Sequence, residues 1–202
     1  MFTKVAAKKT TDWLVQGGRV KEEDRVVYEF GLDKLFSTLI NFPFAALLGL
    51  LFGALAQAVV FYLAYILLRV YAGGDHAEKP LTCFFASIAI LIPCLVAIRF
   101  YQAWITPVVF WGLLAVSIAI LIVIAPVEHK NKVLEPSEKT TYCRRMLRNL
   151  AIITSVTIGL QAFSLDSYAV ALLCGTFLAA ITATIGKMRF ALQVRSELEH
   201  RE

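Results

Sequence analysis

The residues "LFSTLINFPFAALLGLLFGALAQAVVFYLAYILL" (Leu35–Leu68) form one apolar stretch, and the way it folds decides the topology of the chain. A single helix of these 34 residues would measure about 50 Å, whereas the hydrocarbon core of a bilayer is about 30 Å thick. The stretch is therefore either one strongly tilted helix or a hairpin of two short helices that turns near Gly53 to Gln57. The two alternatives place every later loop on opposite sides of the membrane.

The composition indicates an integral membrane protein. Hydrophobic residues make up 58% of the 202 residues and charged residues only 17%, below the roughly 25% of soluble domains. The partner expected from this composition is the lipid bilayer and not nucleic acid, because topology explains the net charge of +5. The four cysteines show no CxxC spacing, so neither a metal site, a disulfide framework nor a cofactor is expected.

The charge distribution favours the hairpin. Four apolar stretches follow, at about 81–98, 106–125, 149–163 and 168–186. Kinks or ends are marked by the prolines Pro93, Pro107 and Pro126. With hairpin arms at about 35–53 and 54–68, the chain has six spans, and 19 of its 20 Lys and Arg residues lie on the side of both termini. A single long helix would give five spans and an 8 to 12 division. Basic residues concentrate in cytoplasmic loops, so six spans are predicted.

The predicted fold is an all-α polytopic membrane protein in three parts. Residues 1–34 form an N-terminal arm, residues 35–186 form the six-span domain, and residues 187–202 form a cytoplasmic tail. The arm is a cytoplasmic or interfacial helix, or else an ordinary solvated segment. Its apolar stripe would consist of Phe2, Val5, Ala6, Trp13 and Leu14.

The polar stretch "YAGGDHAEKPLTC" (Tyr71–Cys83) carries a candidate nucleophile and base. Pro80 suits the first turn of a helix, which would place Cys83 near the positive end of the helix dipole and favour its thiolate. A nearby imidazole, that of His76, can take the thiol proton. The alternative is a packing cysteine and a solvated histidine.

Three further residues of this region are candidate substrate contacts. Gly73 and Gly74 permit positive φ, so the chain can fold back and a substrate backbone can come close. Arg69 can hold a substrate carboxylate or pin the loop.

The second loop predicted on the same side is "EHKNKVLEPSEKTTYCRRMLR" (Glu128–Arg148). His129 and Cys143 form a weaker second pair there, because no glycine-rich turn accompanies them. Cys94 and Cys174 fall within spans and are interpreted as packing residues. Asp166 is interpreted as a turn or helix-cap residue.

Three motifs in this order resemble the accessory gene regulator B family of membrane endopeptidases. They are "EFGLDKLFSTLI" (Glu29–Ile40), "LLRVYAGGDHA" (Leu67–Ala77) with Cys83 seven residues after His76, and "APVEHKNKVL" (Ala125–Leu134). Asp75 departs from the pattern, which has a tyrosine or small residue there. It either orients His76 or is an incidental surface charge.

The resemblance implies a cysteine endopeptidase of the bacterial cell membrane that processes a quorum-sensing precursor. His76 and Cys83 would be catalytic, at the cytoplasmic side with both termini. The partner would be an AgrD-like precursor peptide with an amphipathic leader, a signal core and an acidic tail. Cleavage would leave the core on Cys83, and cyclisation would release a thiolactone or lactone. The resemblance also implies a homodimer.

The basic residues of the second loop gain a candidate role from the resemblance. The acidic tail would bind cations of that loop, namely Lys130, Lys132, Arg144, Arg145 and Arg148. The alternative is that these residues only set the topology. Two other functions are a peptide transporter or exporter without proteolytic activity, which charged residues within spans would favour, and a non-enzymatic scaffold.

Overall fold

The structure, a computed structural model, describes residues 2–73, 80–127 and 136–199. Within these ranges the chain is helical and contains no strand. The helices are α1 (Phe2–Gln16), α2 (Arg25–Leu51), α3 (Leu55–Ala72), α4 (Pro80–Arg99), α5 (Tyr101–Trp104), α6 (Pro107–Ile124), α7 (Pro136–Ala162) and α8 (Asp166–Glu199), with a 3-10 turn at Glu22–Asp24. The prediction of an all-α fold is confirmed.

The long apolar stretch folds as a helical hairpin. Helix α2 ends at Leu51 and α3 begins at Leu55, and Gly53 between them has a φ of +64°. The two helices run antiparallel, since a Cβ on Gly49 would lie 2.4 Å from the Cβ of Ala58. The predicted hairpin is present, but its first arm is longer than expected. Helix α2 extends back to Arg25 without a break, so residues 25–34 are continuous with the first apolar helix. The division of the chain into an arm, a membrane domain and a tail stays a prediction.

Four helical segments of the described ranges are long and apolar enough to cross a membrane. They are Glu22–Leu51, Leu55–Ala72, Pro107–Ile124 and Asp166–Leu192, and α4 contributes a shorter apolar segment at Ile88–Arg99. Large apolar side chains such as Leu51, Val108 and Val123 point away from the bundle, as expected where lipid surrounds the helices. The chain is an all-α membrane protein, and the number of six spans stays a prediction.

Helix α7 corrects the interpretation of the second basic loop. The region up to Arg148 was predicted to be a loop, but α7 begins at Pro136 and runs unbroken to Ala162. Arg144, Arg145 and Arg148 therefore lie on a helix. Proline is well suited to a first helical turn. The charged residues of this region form the polar first half of α7, and the second half of the helix is apolar.

Helix α8 is the centre of the bundle and packs against α3, α4, α6 and α7. Its closest approach is to α3, where a Cβ on Gly175 would lie 2.7 Å from the carbonyl oxygen of Phe61 and 3.2 Å from the backbone nitrogen of Tyr65. Small residues permit such backbone contact between membrane helices, and dispersion then replaces the hydrophobic effect as the driving force. The buried small residues that continue this face are Ala171, Ala179 and Ala183.

The N-terminal helix α1 packs against α2. Its buried face consists of Thr3, Ala7 and Thr11, three small residues at helical spacing, while Val5 and Trp13 of the predicted apolar stripe remain exposed. Arg25, at the start of α2, also forms a partly exposed ion pair with Asp12 of α1. Helix α1 of the arm is thus docked on α2 through small residues, and interfacial lipid contact by its exposed face stays a prediction.

Gly175 supplies a test of the α3–α8 packing. Gly175→Ala should lower the free energy of unfolding by about 1–3 kcal/mol, because the new methyl group meets backbone atoms that cannot move aside. Gly159→Ala in α7 is the matched control, since a Cβ there would meet nothing within 4 Å. It should be neutral or stabilise the helix by up to about 1 kcal/mol. Thermal unfolding in detergent measures both, and equal shifts for the two variants would contradict the packing described.

Candidate functional site

The two polar loops begin at the same end of the bundle, where the first residues after α3 and α6 contact each other. The first begins after α3, which ends at Ala72, and the second begins after α6, which ends at Ile124. The backbone N–H of Val127 donates a hydrogen bond of 2.9 Å to the carbonyl oxygen of Ala72. This hydrogen bond therefore joins the start of the segment that leads to His76 to the start of the segment that leads to Lys130.

Gly73 is required by this junction. Its φ is +75°, a conformation that L side chains rarely adopt. A Cβ on Gly73 would also lie 2.4 Å from the carbonyl oxygen of Val127. The backbone of Val127 thus occupies the space that a side chain at position 73 would need. A contact of Gly73 and Gly74 with substrate stays a prediction, and Gly74 lies outside the described residues.

Tyr71, in the last turn of α3, is held by the first half of α7. The ring of Tyr142 meets it edge-on with centroids 5.9 Å apart, and the guanidinium of Arg145 lies 5.9 Å from its centroid. One turn earlier, the side-chain amide of Asn149 donates a hydrogen bond of 2.9 Å to the carbonyl oxygen of Leu67. Aromatic and cation–π contacts are each worth about 0.5–1.5 kcal/mol, so these contacts together fix α7 on the end of α3.

Arg69 lies on α3 one turn before Gly73, and its carbonyl oxygen accepts a hydrogen bond of 3.1 Å from the Gly73 N–H. Its guanidinium lies 5.5 Å from the centroid of the Tyr65 ring. The residue is half-buried. The bond to Gly73 involves only the backbone of Arg69, and the Tyr65 ring belongs to the same helix. Pinning of the loop and carboxylate binding by the Arg69 side chain both stay predictions.

A shallow, open basic groove runs along one face of the α7 segment 137–148. Its lining residues all belong to this one helix and are exposed: Ser137, Thr140, Thr141, Arg144, Arg145 and Arg148. This spacing of three and four residues places all six side chains on one face of the helix. Guanidinium groups and hydroxyls donate hydrogen bonds, so the face suits carboxylates. The sequence reasoning named the arginines but missed Ser137, Thr140 and Thr141, which helical periodicity from Pro136 onward would have revealed.

The predicted catalytic residues are only partly within the described structure. Helix α4 begins at Pro80 in the described residues, so Cys83 is its fourth residue, in the first turn as expected. The Cys83 side chain lies outside the described part of the chain, as do Asp75, His76, His129, Lys130 and Lys132. The pairing of His76 with Cys83 therefore stays a prediction, as does the weaker pairing of His129 with Cys143.

The other cysteines have packing surroundings. Cys94 of α4 and Cys174 of α8 contact each other through their thiols and pack against the same apolar cluster. Cys143 is half-buried on α7. Within the described ranges, no group of three His, Cys, Asp or Glu side chains is arranged to hold a metal ion.

The sequence from residue 7 to residue 185 matches the family model described as accessory gene regulator B. This match includes both loops, all of α2 to α7 and the larger part of α1 and α8. The chain belongs to the accessory gene regulator B family. Membership gives it a part in the processing of quorum-sensing peptides.

Relatives support this membership. The chain is 28% identical over 172 residues to putative AgrB-like protein 2 of Clostridium perfringens, an alignment that covers 83% of this chain and 77% of the relative. It is 38% identical over 64 residues to protein FsrB of Enterococcus faecalis, covering 32% of this chain and 26% of that protein. No solved structure matches the chain.

The junction at Gly73 supplies a second test. Gly73→Ala should lower the free energy of unfolding by at least about 2 kcal/mol, because it combines backbone strain with a clash against Val127. Gly53→Ala is the matched control, since Gly53 also has a positive φ but a Cβ there would meet nothing within 4 Å. It should cost only about 1 kcal/mol. Equal losses in the same unfolding assay would show that the contact with Val127 is unimportant.

Proposed function

We propose that this protein is a membrane cysteine endopeptidase that cleaves and cyclises an AgrD-like precursor peptide. His76 takes the proton of the Cys83 thiol, and the thiolate attacks the peptide bond between signal core and acidic tail. The tail leaves as an amine after receiving that proton, and the core remains as a thioester on Cys83. A cysteine or serine of the core then attacks the thioester, which regenerates Cys83 and releases a thiolactone or lactone joined to its leader.

The observation that carries the proposal is the family match through the stretch Tyr71–Cys83. Two structural features support it. Helix α4 begins at Pro80 in the described residues, which places Cys83 in a first turn, where the helix dipole favours thiolate. The loop that contains His76 starts from a junction fixed by Gly73 and Val127.

The second step of this reaction makes a physical demand on the site. Water competes with the internal nucleophile for the thioester, which the first step forms from an amide in an uphill exchange. The site must exclude water and hold the nucleophile close, because a high effective concentration favours ring closure. A loop at the end of a membrane bundle, covered by a peptide lying in the interface, suits this demand.

The basic groove of α7 is the proposed site for the acidic tail. Arg144, Arg145 and Arg148 line it, and guanidinium groups bind carboxylates through paired hydrogen bonds. Lys130 and Lys132 would add charge from the neighbouring loop. Arg69 is a further candidate for a substrate carboxylate.

Substitution of the catalytic pair tests the proposal. The substrate is a synthetic peptide with the sequence of a short reading frame beside this gene whose product has an amphipathic start and an acidic end. Cys83→Ala and His76→Ala should each abolish cleavage of this precursor in liposomes, a loss of at least about 10³-fold, while insertion into the membrane is unchanged. Cys143→Ala is the matched control and should retain activity.

Mass spectrometry of the stalled reaction should find an adduct with the mass of leader and core on Cys83. Cleavage by the Cys83→Ala protein would sink the proposal. Loss of cleavage in Cys143→Ala alone would instead favour the pair of His129 and Cys143. Transport of the preformed peptide that survives Cys83→Ala would favour an exporter.

We further propose that both termini and both polar loops face the cytoplasm. The positive-inside distribution supports this sidedness, as does the departure of both loops from one end of the bundle. In a protein whose four native cysteines are replaced by serine, an introduced cysteine at Ser137 should react with a membrane-impermeant maleimide only in inverted vesicles. One at Phe163, in the link between α7 and α8, should react only in intact cells, and the opposite pattern would reverse the topology. The homodimer that the family suggests stays a prediction.

A further inference from the structure

The basic groove of α7 continues into a face of the same helix that is exposed to lipid. Ile152 and Val156 follow Arg148 at intervals of four residues, so they lie on the same side of α7. Their exposed fractions are 54% and 49%, and both belong to the apolar second half of the helix. Because lipid surrounds the exposed apolar residues of a membrane helix, the groove points sideways toward the bilayer and not into the bundle.

Contacts with α3 fix the depth of the groove in the membrane. The ring of Tyr142 packs edge-on against Tyr71, and the amide of Asn149 donates its hydrogen bond to the carbonyl oxygen of Leu67. Residue numbers therefore rise along α7 as they fall along α3, so the two helices are antiparallel. Each position on the first half of α7 then has a known level relative to the end of α3.

The hydrocarbon boundary on this side of the membrane lies near the end of α3. Helix α6 has 18 residues without a charge and ends at Ile124, so its length of about 27 Å nearly equals the thickness of the hydrocarbon core. The hydrogen bond of Val127 to Ala72 places the end of α3 at the same level. At a rise of 1.5 Å per residue, Arg148 lies about 7 Å inside this boundary and Ser137 about 8 Å outside it.

The basic groove thus crosses the layer of phospholipid headgroups, which is about 5–8 Å thick. Arginine side chains at this depth keep their apolar stems in the hydrocarbon and extend their guanidinium groups toward the headgroups. The six groove residues are three arginines, two threonines and a serine. All of these side chains can donate hydrogen bonds and the arginines add positive charge, a combination that suits phosphate.

We propose that the basic groove binds the headgroup phosphate of an anionic phospholipid whose acyl chains cover Ile152 and Val156. The guanidinium groups hold the phosphate through charge-assisted hydrogen bonds, and the apolar face next to them contacts the chains. Phosphatidylcholine fits less well, because its quaternary ammonium group is repelled by three arginines.

One consequence of the lipid site rests on the function proposed above, whereas lipid binding itself does not. The acidic tail of the precursor needs the same guanidinium groups that hold the phosphate. The tail must therefore displace the lipid from the groove, and anionic lipid competes with the substrate for this site.

The test measures lipid contact by the quenching of a single tryptophan. The three native tryptophans are replaced by phenylalanine, and Ile152→Trp places one reporter beside the groove. The full-length protein is reconstituted in mixtures of phosphatidylglycerol and phosphatidylcholine in which one lipid is brominated. The association constant at this reporter should be at least about fivefold higher for phosphatidylglycerol, the gain expected from one basic side chain near anionic lipid.

Matched variants connect this preference to the groove. Val123→Trp is the control reporter, because Val123 is an exposed residue of α6 near the same boundary and does not line the groove; its ratio should be near one. In the Ile152→Trp protein, Arg144→Gln with Arg148→Gln should remove the preference, whereas Arg144→Lys with Arg148→Lys should retain most of it. With the groove unmodified, the preference should fall as NaCl is raised from about 0.1 M to about 1 M.

Displacement by the substrate is measured in the same proteoliposomes. The Ile152→Trp protein carries Cys83→Ala in this experiment, so that the precursor is not consumed. The synthetic precursor should lower the quenching by brominated phosphatidylglycerol, whereas a precursor truncated before its acidic tail should leave the quenching unchanged.

The outcomes separate the lipid site from the proposed function. A ratio near one at Ile152→Trp, or an equal preference at Val123→Trp, overturns the lipid site. A preference that survives the two glutamine substitutions overturns its assignment to the groove, and quenching that the complete precursor does not change overturns the displacement. None of these measurements requires cleavage, and the peptidase fails on a different observation, namely cleavage by the Cys83→Ala protein.

Discussion

Close packing between α8 and α3 is the contact on which the rest of the bundle depends. At Gly175 the two helices approach so closely that even a methyl group would meet the backbone of Phe61. Apolar side chains gain little from burial when the alternative is lipid, so helices in a membrane associate through dispersion and interhelical hydrogen bonds. A central helix with small residues maximises such contact, and α4, α6 and α7 then pack around α8.

One consequence of this packing is that the elements of the candidate site meet at a single end of the bundle. The ends of α3 and α6 meet through Ala72 and Val127, and the charged half of α7 lies against the last turns of α3. The residues proposed for peptide cleavage and those proposed for tail binding thus share one frame. The proposed acyl-enzyme would benefit from such a frame until the ring closes, because the substrate would be oriented at two separate points.

Helix α7 shows why the sequence predicts a loop where the structure has a helix. The first half of α7 is polar, so the apolar stretch at 149–163 marks only the second half of this helix. Pro136 and the pattern that places Arg144 and Arg148 on one face were visible in the sequence and would have predicted the helix. No pattern would have predicted the contact of Val127 with Gly73, because the two residues are far apart in the chain and both lie at the ends of apolar stretches.

The sequence by itself determined the class of the protein, its hairpin and the motif that carries the candidate reactive residues. Apolar length, the distribution of lysine and arginine, and the motif from Arg69 to Cys83 are all local properties, and each has its meaning without a fold. Tertiary structure alone decided which elements meet. Three features depend on how rigid helices pack. Val127 fills the space at Gly73, Tyr142 and Arg145 contact Tyr71, and α8 lies at the centre of the bundle. Such packing is set by the shapes of surfaces that are formed only after distant segments have come together.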